Sequence, residues 1–125
     1  MIRILIVDDS AVMRHYLRHI FESQDDFEII AMATNGEEAV EMAARLKPDV
    51  ITMDVHMPKL DGYEATRAIM SSATPAPIVI VSATFDSGSV EKGFKALEAG
   101  ALTGLGKPVG LGREEHARTV AKLVQ

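Results

Sequence analysis

The 125-residue chain contains no cysteine, so disulfides and thiolate metal sites are excluded and any bound metal must rest on oxygen or imidazole ligands. It also lacks a long hydrophobic run. The apolar start from Met1 to Val7 breaks at Asp8-Asp9, far short of the roughly 20 apolar residues that cross a bilayer, and no signal-peptide cleavage region follows it. There is no Lys/Arg stripe, and the net charge of -5 argues against direct nucleic-acid binding, which needs cations to neutralise phosphates. A glycine-rich phosphate loop is missing too. Asp8-Asp9 stands where a flavin or dinucleotide fold would place one, and Gly104-Leu105-Gly106-Lys107 has neither the spacing nor the following Ser/Thr of a P-loop. What these absences leave is a cytoplasmic, non-membrane protein of one domain over residues 1–125, whose 47% hydrophobic content suffices for a single core.

Within that frame, short β-branched runs alternate with segments of helical period, the pattern of βαβ units around a parallel sheet. Five strands are predicted, at Ile2 to Val7, Ile29 to Ala33, Val50 to Met53, Ile78 to Val81 and Leu102 to Leu105. Between them, Met13, Leu17, Ile20 and Phe21 form one face of a first helix capped by Ser10. Ala39, Val40, Ala43 and Leu46 do the same for a second, which opens after Asn35-Gly36 and closes before Lys47-Pro48, because proline cannot continue a helix. A third follows Asp61-Gly62 with Ala65 and Ile69 inward. A fourth carries Val90, Phe94 and Leu97 and ends at Gly100, and a fifth runs from about Arg113 to Val124. Met13, Met53, Met57 and Met70 read as core filler.

In an open parallel sheet, ligands bind beyond the carboxyl ends of the strands, so the residues found there carry the functional argument. Strand one ends in Asp8-Asp9, strand three in Asp54, strand four in Ser82 and strand five in Lys107-Pro108. Carboxylates gathered on one rim either take up protons or bind a cation. Mg²⁺ is the expected ion, because it prefers oxygen ligands and sits between carboxylates and a phosphate. Asp54 stands alone at its strand end and is the candidate nucleophile, giving an aspartyl phosphate. Lys107 and the Ser82 hydroxyl would then meet the charge on the transferring phosphoryl oxygens.

Ile4-Leu5-Ile6-Val7-Asp8-Asp9-Ser10, Asp54-Val55-His56-Met57-Pro58-Lys59-Leu60-Asp61-Gly62, Ser82-Ala83 and Lys107-Pro108 resemble the four signatures of the receiver domains of two-component response regulators. The resemblance implies a flavodoxin-like, doubly wound (βα)5 fold with strand order 2-1-3-4-5 and a cis bond before Pro108. It implies Asp54 as phosphoacceptor, Asp8, Asp9, Asp54 and the His56 backbone carbonyl around Mg²⁺, Ser82 and Lys107 on the phosphoryl group, and a sensor histidine kinase as donor. It further implies that the fourth helix, fifth strand and fifth helix face a downstream effector, in a monomer or a phosphorylation-dependent dimer. Asp8-Asp9-Ser10-Ala11-Val12-Met13-Arg14, Lys47 to Asp54 and the long segment from Ser82 to Val90 look like the receiver of chemotaxis protein-glutamate methylesterases, although no G-x-S-x-G hydrolase elbow occurs. One departure stands out: Gly104 occupies the position where the family usually carries a switching aromatic residue, which implies output through backbone movement of the Ser82 to Val90 segment and the fourth helix.

Two other readings compete. A degenerate receiver would keep the fold as a phosphorylation-independent interaction module, against which the complete acidic set argues. An aspartate-nucleophile phosphatase of the haloacid-dehalogenase type would want D-x-D after the first strand, where this chain has Asp8-Asp9-Ser10.

Overall fold

A computed structural model of the chain describes residues 1–82 and 103–106. In order these form β1 (Ile2–Val7), α1 (Ala11–Glu22), β2 (Phe27–Ala33), α2 (Gly36–Leu46), β3 (Val50–Met53), α3 (Gly62–Met70), β4 (Ile78–Ser82) and β5 (Thr103–Gly106). The strands make one five-stranded sheet in the order β2-β1-β3-β4-β5, and every neighbouring pair is parallel. The α/β class is the one that the alternation of segments predicts, and the strand order is the flavodoxin-like one that the resemblance to receiver domains implies. The fourth and fifth helices, Lys107 and the expected cis bond before Pro108 lie outside the described residues.

Alternation along each strand sends side chains to opposite faces, and both faces are buried, as a parallel sheet requires. Ile4, Ile6, Val50, Val79 and Val81 point to one side, where they pack with Leu17, Ile20 and Phe21 of α1 and with Phe27. The Phe21 and Phe27 rings meet edge to face at 5.3 Å. Leu5, Val7, Ile51, Met53, Ile78 and Ile80 point to the other side, against Ala39 and Ala43 of α2 and Ala65 and Ile69 of α3.

Three of the turns that leave the carboxyl ends of strands use the same device. The side chains of Ser10, Asn35 and Asp61 accept hydrogen bonds from the backbone N–H of Met13, Glu38 and Glu64 at 3.2, 2.9 and 2.9 Å, and so cap α1, α2 and α3. α2 stops where the sequence says it should, with Lys47 in the left-handed conformation at φ 49° ahead of Pro48.

The bounds of three strands and one core assignment differ from expectation. β2 starts at Phe27, not Ile29, because Phe27 and Glu28 pair with Ile2 and Arg3 of β1. β4 runs on to Ser82 and β5 is shifted to Thr103–Gly106, since Ser82 pairs with Gly106. Met53 is buried and Met13 and Met57 pack against the two cores, but Met70 ends α3 on the exposed side. Among the described residues no helix is long and apolar enough to cross a membrane.

Candidate functional site

β1 and β3 lie side by side with Val7 opposite Met53, so the residues that follow them emerge together at the same rim. The hydrogen-bond ladder continues past both strand ends: the Asp54 N–H donates to the Val7 carbonyl at 2.9 Å, and the Asp8 N–H donates to the Ala33 carbonyl at 3.1 Å. The result is a convergence of three carboxylates. Asp8, Asp9 and Asp54 each offer a carboxylate oxygen, and these atoms all lie within 4.8 Å of one another. Asp8 and Asp54 are 1% and 3% exposed, whereas Asp9 faces solvent. Three negative charges at that spacing, two of them withdrawn from water, repel one another strongly unless a cation or protons intervene. All the donors are hard oxygens, which suits a hard divalent ion.

The turn after β1 fixes how Asp8 points. Asp8 Oδ1 accepts from the Ser10 backbone N–H at 2.9 Å, while Arg14 Nη1 donates to the Asp8 carbonyl at 2.9 Å. The turn after β3 is as tightly held. The Gly62 N–H donates to the Val55 carbonyl at 2.8 Å, and a Cβ at Gly62 would collide with the Asp54 carbonyl oxygen. Between them, Lys59 sits at φ 71° in a three-residue turn closed by the Leu60 N–H on the Pro58 carbonyl at 2.8 Å. Leu60 in turn abuts Gly36 at the start of α2, where a Cβ would strike the Leu60 carbonyl oxygen. Backbone contact thus runs from α2 through Leu60 to α3 and to the Asp54 peptide.

Charges flank this rim. The Glu38 carboxylate accepts hydrogen bonds from the hydroxyl and the backbone N–H of Thr34. The hydroxyl bond first, then the backbone bond, and then the nearby cations Lys59 and Arg14 hold the Glu38 carboxyl below its ordinary range.

Of the residues singled out in the sequence, Asp8, Asp9 and Asp54 are brought together. His56 follows two residues behind Asp54 with its side chain exposed. Ser82 closes β4, two residues beyond Ile80, which pairs with Met53, so its backbone belongs to the same rim. Lys107 lies just past Gly106, the end of β5, and outside the described residues. Sequence reasoning missed Arg14, Gly36 and Gly62 as parts of the site's frame. The repeated Asn35-Gly36 and Asp61-Gly62 pairs at helix starts were a visible signal for the glycines; nothing in the sequence pointed Arg14 back to Asp8.

The response regulator receiver domain family matches residues 4–117. Among curated proteins, the chain is 47% identical over all of its 125 residues to a protein-glutamate methylesterase/protein-glutamine glutaminase of Nitrosospira multiformis. It is 46% identical over the same length to one from Geobacter metallireducens. The chain spans about a third of the length of these relatives, 35% and 36%. Among solved structures, the response regulator domain of CheB from Thermotoga maritima superposes with a TM-score of 0.86 at 41% identity, covering 99% of this chain and 93% of that one. A chain of the CheX–CheY–BeF3–Mg complex from Borrelia burgdorferi gives a TM-score of 0.87 at 32% identity, covering 99% and 90%.

Proposed function

Because the chain belongs to the response regulator receiver domain family, we propose that it is a phosphoacceptor whose Asp54 takes a phosphoryl group beside a Mg²⁺ ion held by Asp8, Asp9, Asp54 and the His56 carbonyl. The observation that carries this reading is the meeting of Asp8, Asp9 and Asp54 within 4.8 Å at the ends of neighbouring strands. When bound, the ion supplies positive charge that offsets both the carboxylates and the phosphoryl oxygens.

The remaining work falls to the chain itself. An oxygen of the Asp54 carboxylate bonds to phosphorus as the bond from phosphorus to the donor nitrogen breaks, and the released imidazole of the donor histidine ends neutral or picks up a solvent proton. Asp54 is held for this by its N–H bond to Val7 and by the close approach of Gly62 to its carbonyl. Its burial keeps bulk water from the acyl phosphate that forms. The Ser82 hydroxyl and the Lys107 ammonium would meet the phosphoryl oxygens, roles that rest on Ser82 closing β4, on Lys107 following β5 in the sequence and on family membership.

A sensor histidine kinase is the proposed donor. The output is a change in the surface beyond β4, passed to an effector such as the methylesterase portion found in the longer relatives, from a cytoplasmic molecule that is a monomer or dimerises when phosphorylated. Gly104 lies mid-strand in β5 opposite Ile80, so no aromatic rotamer there can report the phosphorylated state, and the segment after Ser82 is the proposed carrier of the signal.

Incubation with acetyl phosphate and Mg²⁺ should give acid-labile incorporation that Asp54→Asn abolishes. Undiminished labelling in the variant would remove Asp54 from the mechanism.

A further inference from the structure

The peptide that joins Asp8 to Asp9 lies beyond the last residue of β1, so the sheet ladder does not fix its orientation on both sides. That peptide matters, because it links the two backbone positions from which the Asp8 and Asp9 carboxylates project. Arg14 reaches this peptide through its side chain, since its backbone N–H makes the ordinary first-turn bond of α1 to the Ser10 carbonyl at 2.9 Å. Its side chain folds back so that Nη1 donates to the Asp8 carbonyl at 2.9 Å, and the residue is half-buried there.

We propose that Arg14 is a positioning residue of the cation seat, holding the Asp8–Asp9 peptide so that both carboxylates turn toward Asp54. The proposal rests on the reading that this cluster binds a divalent cation. It concerns geometry and not charge, and the two have opposite signs. A guanidinium beside a cation seat repels the ion, an effect lessened here by Glu38, whose carboxylate lies within electrostatic reach of both Arg14 and Lys59. If charge alone mattered, removing Arg14 would tighten metal binding. If the tether matters, removing it weakens binding, as loss of groups that orient metal ligands does by roughly 10- to 100-fold.

The test is calorimetric titration of the full chain with Mg²⁺, together with amide hydrogen exchange at Asp9 and Ser10 in the metal-free protein. Arg14→Ala should weaken Mg²⁺ binding about 10-fold or more and speed exchange at both amides, with a thermal midpoint close to wild type. Arg14→Lys keeps the charge but not the planar fork; it should also bind Mg²⁺ more weakly, and it decides the matter should the alanine variant fold poorly. Equal or tighter Mg²⁺ binding in the variants, with unchanged exchange, overturns the role given to Arg14 and leaves the cation site standing. A wild type that takes up no Mg²⁺ overturns the cation reading and the proposal together.

Discussion

On one face of the sheet α1 presents Leu17, Ile20 and Phe21, whereas α2 and α3 cover the other through Ala39, Ala43 and Ala65 as well as Ile69, with Gly36 and Gly62 at their first positions. Large side chains hold a helix off the sheet and leave rotamers that can readjust; small ones bring backbone against backbone, where nothing yields cheaply. Among the described residues, the second face is where a helix brings its backbone against the Asp54 peptide, through Gly62. The contrast teaches that bulk on the α1 face serves stability, while closeness on the α2–α3 face also serves the placement of the reacting carboxylate.

Substitutions can break that contrast. The largest effect is expected from Phe21→Ala, which removes a ring 2% exposed and in contact with Phe27 and should cost about 3–5 kcal/mol in denaturant unfolding. Asp54 labelling per folded molecule should stay at the wild-type level. Gly62→Ala should cost about 3 kcal/mol, the upper end for an overpacking change because the added Cβ meets backbone, and slow labelling by more than the loss of folded protein explains. A Gly62→Ala protein that labels at the wild-type rate per folded molecule would erase the distinction between the faces.

The smallest effect belongs to Glu38→Gln, at most about 1 kcal/mol given solvent screening and the modest worth of a helix-start bond. Its sign follows from the lowered Glu38 pKa. The carboxylate stabilises the fold above the ordinary pKa of an unfolded glutamate, and that contribution fades as pH falls through the lower folded value. Urea midpoints of wild type and variant should therefore differ near neutral pH and converge in acid.

Much of this arrangement was legible in the sequence because it depends on local rules. Ser10, Asn35 and Asp61 announced three helix starts, Lys47-Pro48 a helix end, and the acidic residues after the first and third apolar runs a shared rim. What escaped depended on neighbours. Phe27 and Glu28 look unlike a strand start, since β2 is an edge strand with four of its seven residues only partly covered, and pairing with β1 rather than hydrophobic pattern sets where it begins. Met70 fits the helical period yet is 36% exposed at the end of α3. Arg14 sits on an exposed-looking stripe of α1, and only the fold reveals that its guanidinium returns to Asp8.

The bond from the Asp54 amide to Val7 joins segments far apart in the chain, and it carries a kinetic corollary. Until the first and third strands are zipped together, the acidic groups are scattered and an ion has nowhere to lodge. A cation seated there would therefore stabilise only conformations in which those two strands are already paired, so where that pairing follows the rate-limiting step the ion leaves refolding unchanged and slows escape from the native state. The ion would behave as a latch fitted to a door already closed.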